Sequence, residues 1–489
     1  MSIHTHTPSV TALDGRGQAV RTIAYHRREA DEKPEARVTR HVFDEAGRLV
    51  SSIDPRLFAR AEQGERVTPN MQYAYALGGQ VLRTDSVDAG WRVEFFNDAG
   101  QVMLAWDSRG ARRRVQYDAL QRPVAIYERP GAAGAREQCV ERLAYGDRAA
   151  THNRRGQLLR HDDPAGTRTL GGYGLSGKIL GETRRFLASP DAPDWPADVA
   201  ARDALLEAEA YTTRWRYNVA GAMISQTDAC GNEQVFTHNV AGQLKTCTVH
   251  LAAMEETVGR GKARRTQMLP AQTQKIVTSV VYDANGQAIR EDAGNGVRTT
   301  RTYRTTDQRL LRIHAQRADG TVLQDLHYEY DPVGNVTRME DKSQPVTHFR
   351  NQRVTPVCTY RYDTLYQLIE ATGRESAHAG RQGAALPPPL PITPDAGQLV
   401  NYRRRYEYDA GNNLVKIRHH GAMQYTQEMV VAPDSNRAVP QWDGVTPATV
   451  DRFFDANGNL LQLAPGQPLS WNARNQLESV VLAGNHDDQ

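Results

Sequence analysis

The sequence predicts an all-β chain of repeated antiparallel β-hairpins, forming part of a curved, hollow shell, with one inserted helix near residues 197–210. Three observations lead to this. One short turn phrase returns from end to end of the chain, the composition is poor in core-forming residues, and only one stretch is rich in helix formers.

The phrase is an aromatic residue, Asp, two variable residues, Gly, one residue and an apolar one. Its clearest copies are Phe43-Asp44-Glu-Ala-Gly47-Arg-Leu49, Tyr282-Asp283-Ala-Asn-Gly286-Gln-Ala288, Tyr330-Asp331-Pro-Val-Gly334-Asn-Val336 and Phe454-Asp455-Ala-Asn-Gly458-Asn-Leu460. The aromatic suits a half-buried strand face. Asp suits the first position of a type I turn, where its carboxylate accepts from a backbone N–H two residues on. Gly tolerates the left-handed conformation at the end of the turn. The apolar residue opens the return strand, so each copy reads as one hairpin corner.

Worn copies follow the same template. Phe96-Asn97-Asp-Ala-Gly100-Gln-Val102 shifts the acid by one place; Tyr217-Asn218 and His238-Asn239 use Asn for Asp. Tyr117-Asp118-Ala-Leu-Gln121 and Tyr362-Asp363-Thr-Leu-Tyr366 lose the Gly, and Tyr408-Asp409-Ala-Gly411 moves it one place earlier. Trp471-Asn472-Ala-Arg-Asn475 puts Asn in its place. Copies at 217 and 238 stand 21 residues apart, whereas those at 362, 408 and 454 stand 46 apart, a step that reads as two hairpins with one degenerate.

Composition agrees. Of 489 residues, 39% are hydrophobic and 7% aromatic, with a mean hydropathy of −0.63. That is low for a large globular enzyme and above the level of a disordered chain. A long sheet wetted on both faces fits it. Net charge is +3, from 60 basic and 57 acidic residues, so no global field favours nucleic acid. Arg112-Arg113-Arg114 and Arg403-Arg404-Arg405 read as solvated strand residues. The four cysteines, Cys139, Cys230, Cys247 and Cys358, form no CxxC and no disulfide framework. No stretch approaches the ~20 apolar residues of a membrane span. The opening Met1-Ser-Ile-His-Thr-His lacks the pattern of a Sec signal, so the chain is expected to be made in the cytoplasm and to leave by another route.

Along the chain, residues 1–40 read as a polar lead-in and 41–185 as repeat β-shell, with Ser51-Ser-Ile-Asp-Pro55 as a turn. Residues 186–212 form a helical insertion: Pro196 lies near the start of Ala197–Ala210, a run of helix formers. The shell resumes over 213–489, interrupted by loops at 251–274 and at the proline-rich 381–398.

No catalytic constellation emerges: there is no P-loop, no G-x-S-x-G elbow and no H-E-x-x-H. The pairs His4/His6 and His419/His420 lack partners at metal-site spacing. Most Asp residues already have turn duty, so no catalytic, cofactor-binding or metal residue is assigned and the segment is expected not to be an enzyme.

The turn phrase resembles the tyrosine–aspartate repeat of the Rhs/YD family. Longer phrases resemble the C subunits of Tc (toxin complex) insecticidal toxins. They include Ser52-Ile-Asp54-Pro55-Arg56-Leu57, Leu82-Arg-Thr-Asp-Ser-Val-Asp-Ala-Gly90, Val322-Leu-Gln-Asp-Leu326 and Phe349-Arg-Asn-Gln352. Further on come Tyr360-x-Tyr-Asp-x-Leu-Tyr-Gln-Leu368, Ala371-Thr-Gly-Arg-Glu375 and Ser435-Asn-Arg-Ala438. The resemblance implies a B-subunit partner whose repeat sheet joins this one in a cocoon around the C subunit's own toxic tail. It implies a pentameric A component, reached through the B subunit, that injects the cargo, and an aspartyl protease in the C-subunit core that frees it. No nucleic-acid partner and no direct membrane insertion are implied, and the released complex is extracellular.

After Trp471 the chain runs only to Gly484-Asn-His-Asp-Asp-Gln489, without the family's core segment or toxic tail, so it is expected to be the N-terminal shell portion. An open strand edge near 454–480 is expected to make it poorly soluble alone. The alternative is the Rhs shell of a type VI or contact-dependent antibacterial effector. A glycan-binding adhesin and a carboxylate hydrolase are weaker readings.

Overall fold

A computed structural model describes residues 3–191, 193–258, 265–377 and 397–481. Nearly every described element is an antiparallel strand, and no helix in the described residues is long and apolar enough to cross a membrane. The chain divides into two compact units: Met1–Arg113 with Arg129–Arg136 and His327–Gln489, and Arg114–Glu128 with Glu137–Leu326.

In the second unit the sheet is a meander. Strands Gly166–Tyr173, Ile179–Phe186, Tyr211–Tyr217, Met223–Thr227, Glu233–His238 and Leu244–Leu251 each pair antiparallel with the next. The meander continues from Gln272–Tyr282 through Ala288–Ala293 and Arg298–Tyr303 to Leu310–Gln316. Aromatic-led turns therefore lie along one edge of the sheet, and plain turns such as Asp228–Gly231 along the other. Most strand residues are half-buried. The deeply buried groups are small: Ala125, Cys139, Trp195 and Leu206 form one, and Val115, Ile126 and Val140 another.

Several expectations are corrected. The lead-in is already sheet, because strands Val10–Leu13 and Ala19–His26 pair within it and Glu35–Phe43 begins before residue 41. Its turn, Asp14 to Gly17, is a repeat corner in which Leu13 replaces the aromatic, so the template missed it. The helical insertion shrinks to one short helix, Val199–Asp203, capped by Asp198. Beyond it, strand-like backbone bonds draw the chain away: Ala188 N–H donates to Leu205 O (3.0 Å) and Glu207 N–H to Phe186 O (2.9 Å). Burying Leu206 against Trp195 overrides helix propensity there.

An α-helix that the sequence reading did not expect runs over Pro55–Glu62. Asp54 caps it by accepting from Leu57 N–H at 2.8 Å, and Pro55 opens it. The expected turn at 51–55 is therefore a helix start, with Asp54 as its cap and Pro55 as its first residue. The expected loop at 251–274 contains a hairpin, Met254–Val258 against Arg265–Leu269. The proline-rich loop at 381–398 lies, up to residue 396, outside the described residues. Strand structure also yields to a 3-10 helix at Pro447–Phe453, over a small core of Val430, Ala432, Val439, Val445, Val450 and Phe453.

Candidate functional site

Each predicted corner has one hydrogen-bond pattern. In the copy at Asp283, Asp283 N–H donates to Gln287 O (3.0 Å) and Gly286 N–H to Asp283 O (3.1 Å). The carboxylate accepts from Asn285 N–H and from Gln287 N–H, both at 2.9 Å. The second of these bonds, four residues on, was not foreseen. It closes the corner by tying the start of the return strand to the Asp that opens the turn. The register slips there, between Val281 and Tyr282, as a bulge requires.

The same pair of backbone donors meets Asp118, Asp363, Asp409 and Asp455 at 2.8–2.9 Å. Arg48 N–H binds Asp44 at 2.8 Å. Asp331 accepts from three backbone N–H groups and from the Asn335 side-chain amide. Burial pushes the Asp331 carboxyl up, yet the Asn335 amide and these N–H groups hold it below its ordinary value. The Arg48 backbone N–H does the same for Asp44, and the Arg122 guanidinium for Asp118.

The left-handed position stays fixed whatever residue fills it. Gly47, Gly286 and Gly458 have φ of 80–82°, and Gly334 has 115°. Where Gly is lost, Gln121 (59°), Tyr366 (65°) and Asn475 (59°) adopt the same conformation. In the copy at Tyr408 it is Asn412 (68°), not the displaced Gly411, that turns left-handed. Asn tolerates this region better than most residues, which lets Gly drift.

The aromatic residue does more than pack. In the Tyr282, Tyr362, Tyr408 and Trp471 copies its polar end donates to the backbone carbonyl of the apolar residue that closes the preceding corner. Tyr282 Oη reaches Leu244 O at 2.8 Å, Tyr362 reaches Val336 O at 3.0 Å and Tyr408 reaches Leu368 O at 3.1 Å. Trp471 Nε1 reaches Leu460 O at 2.7 Å. Tyr408 thus sits one hairpin after Tyr362, so the 46-residue step between them is one hairpin with a long connection rather than two. Corners unseen in the sequence join the ladder: Tyr75 to Leu49 O (2.6 Å), Tyr173 to Leu158 O (2.6 Å) and Tyr303 to Ala288 O (3.4 Å). Ala76 and Gly174 replace Asp in the first two, which hid them.

Within the first unit, corners of residues 362–475, led by an aromatic or in one case by Val431, sit on plain turns and the Pro55–Glu62 helix within residues 25–110. Thr364 Oγ accepts from Arg27 N–H (2.9 Å) and donates to Tyr25 O (2.7 Å), beside a 3.3 Å contact of His26 Nε2 with Asp363. Arg56 donates to Ala432 O (2.8 Å), and Asn436 N–H to Asp88 (2.6 Å). Arg109 reaches Trp471 O (2.8 Å), Asn472 O (2.9 Å) and the Asp455 carboxylate (3.3 Å). Turn-on-turn packing is the geometry this chain builds most carefully.

Among the described residues no three His, Cys, Asp or Glu side chains group as metal ligands. His419 does have a carboxylate partner, Glu375 at 3.1 Å, which comes from a strand too distant in sequence to be foreseen. Tyr402 and Tyr425 stack on its ring, as in a packed core histidine. The Arg cluster at 403–405 places Arg403 and Arg405 on Glu370, each at 3.1 Å.

Comparison with known proteins agrees with this geometry. A family model described as "Tripartite Tc toxins repeat" matches residues 422–466. Toxin subunit YenC1 of Yersinia entomophaga is 37% identical over 494 residues, covering 98% of this chain and 49% of that protein. Toxin subunit YenC2 of the same organism is 36% identical, covering 99% and 50%. The crystal structure of TcdB2-TccC3 without its hypervariable C-terminal region superimposes with a TM-score of 0.90 at 36% identity, covering 100% of this chain and 22% of that one. The chain belongs to the Rhs/YD-repeat family of Tc toxin subunits.

A Photorhabdus luminescens Tc holotoxin pore matches as well, with a TM-score of 0.89 over 99% of this chain at 36% identity. The chain spans about half the length of the curated family members it matches. The antiparallel repeat fold is thus that of the Tc toxin family along the whole of this chain.

Proposed function

We propose that this chain is a structural, non-enzymatic wall segment of a Tc toxin C subunit. With a B subunit it encapsulates a toxic polypeptide, which an A component reached through the B subunit then delivers; the assembled complex acts outside the producing cell. The observation that carries the reading is the 0.90 TM-score to TcdB2-TccC3 over the entire chain. The repeat corners at Phe43, Tyr117, Tyr282, Tyr330, Tyr362, Tyr408 and Phe454, with their Asp and left-handed partners, are the residues on which the wall depends.

Physical chemistry supports the role. Strands half-buried along their length give a sheet with no single apolar face to collapse on a cargo. Pairing most strands of the large sheet on both sides leaves few edges for aggregation. The test is co-expression with a Tc B subunit carrying an unfolded passenger, followed by size exclusion and protease challenge. Co-elution with a protected passenger is expected; separate elution with a digested passenger overturns the reading.

A further inference from the structure

Two chemical kinds stand out among the aromatic-led turns, besides the exposed apolar tips Leu77 and Val333 of the first unit. Those seated on plain turns in the first unit carry polar tips that are buried, such as Thr364 and Asn457. In the second unit the tips at Leu175, Val219 and Val240 are branched, apolar and fully exposed. These three belong to successive hairpins along one edge, so they recur about every 10 Å. Lys178 Nζ donates to Gly221 O and Gln243 Nε2 to Gly286 O (3.3 Å), stacking neighbouring corners into a firm ridge. A row of exposed branched side chains on an ordered edge marks a contact surface.

The internal seam shows what such an edge accepts. There, aromatic-led turns rest on plain turns that lie 337 to 366 residues earlier in the chain. Leu175, Val219 and Val240 have residue numbers smaller than that offset, so the same spacing offers them no earlier turn on which to rest. Their tips are apolar, the chemistry of an interface between separate chains, where the internal seam is polar.

We propose that the Leu175–Val219–Val240 ridge docks on the plain-turn edge of a second repeat-sheet polypeptide, the B subunit. This rests on the shell reading above and adds which edge meets the partner and through which side chains. Because the three residues project into solvent from turns, substituting them leaves the sheet intact.

The test titrates purified TcdB2, as a B-subunit probe, with the full chain and with a Leu175→Arg/Val219→Arg/Val240→Arg variant. Val199→Arg, on the short helix, is the control. Unchanged circular dichroism and melting temperature establish that each variant folds. The triple variant is expected to bind at least about tenfold more weakly, since it forces charges into an apolar contact, with the control unchanged. Equal binding by the triple variant and the unmodified chain overturns the edge assignment and leaves the shell reading standing. No binding by the unmodified chain overturns the shell reading and the docking edge with it. A photo-crosslinker at Val219 should join plain turns of the probe; crosslinks only between copies of this chain overturn the proposal.

Discussion

The Tyr362 hydroxyl donates to the Val336 carbonyl oxygen at 3.0 Å, and Val336 is the residue that closes the preceding corner. One hairpin thereby holds the next, through a side chain whose sequence role looked merely apolar. Tyr362→Phe keeps the ring and removes the bond. Denaturant unfolding should show a loss of about 1 kcal/mol. A change indistinguishable from zero would mean that the ring alone matters.

Burial pushes the Tyr362 and Tyr408 phenols above their ordinary value. The folded state therefore favours the protonated phenol. Its contribution is complete below about pH 10, the unfolded value, and is lost as pH rises towards the higher folded value. Melting temperature followed from pH 8 to 11 should fall above about pH 10, and less in a Tyr362→Phe/Tyr408→Phe variant.

The corner carboxylates act at the other end of the scale. Asp44, Asp118 and Asp331 are held below their ordinary values. Their contribution is present above about pH 4 and is lost as pH falls towards the lower folded values. Asp331→Asn should flatten the acid limb of a stability–pH curve. It should also cost about 1 kcal/mol at pH 7, because an amide oxygen is a weaker acceptor than a carboxylate.

Two glycines separate backbone strain from crowding. Gly242 (φ 79°) has open space where a Cβ would lie, while a Cβ on Gly458 (φ 80°) would land on the Asp88 carbonyl oxygen across the seam. Gly242→Ala should cost about 1 kcal/mol, the left-handed penalty alone. Gly458→Ala should cost clearly more and raise hydrogen exchange in residues 432–475. Equal costs would show that the seam yields freely.

Arg109 ties three backbone and carboxylate acceptors of the last corners to the plain turn Asp107–Gly110. Arg109→Ala should cost about 2–3 kcal/mol and speed limited proteolysis after residue 440, because it removes the charged donor that joins two backbone carbonyls and the Asp455 carboxylate across the seam. Unchanged proteolysis would remove Arg109 from the seam's support.

Much of this was legible in the sequence because Asp and a left-handed residue at fixed spacing leave a local mark. The corners at 43, 282, 330 and 454 follow from turn chemistry alone. Corners at 14, 76 and 174 escaped because Leu13 replaces the aromatic, or Ala76 and Gly174 the acid, while backbone bonds preserve the shape. The seam was invisible: Arg27 and Thr364 stand 337 residues apart, and nothing local in either announces the other. The short helix after Asp198 failed for the opposite reason, since burial of Leu206 outweighed a strong local preference.

Electron cryomicroscopy of this chain co-assembled with a Tc B subunit tests the central claim most directly. The account predicts a closed β-walled particle with a cavity, residues 10–480 lining its wall. Two separately folded bodies with no enclosed space between them would contradict it.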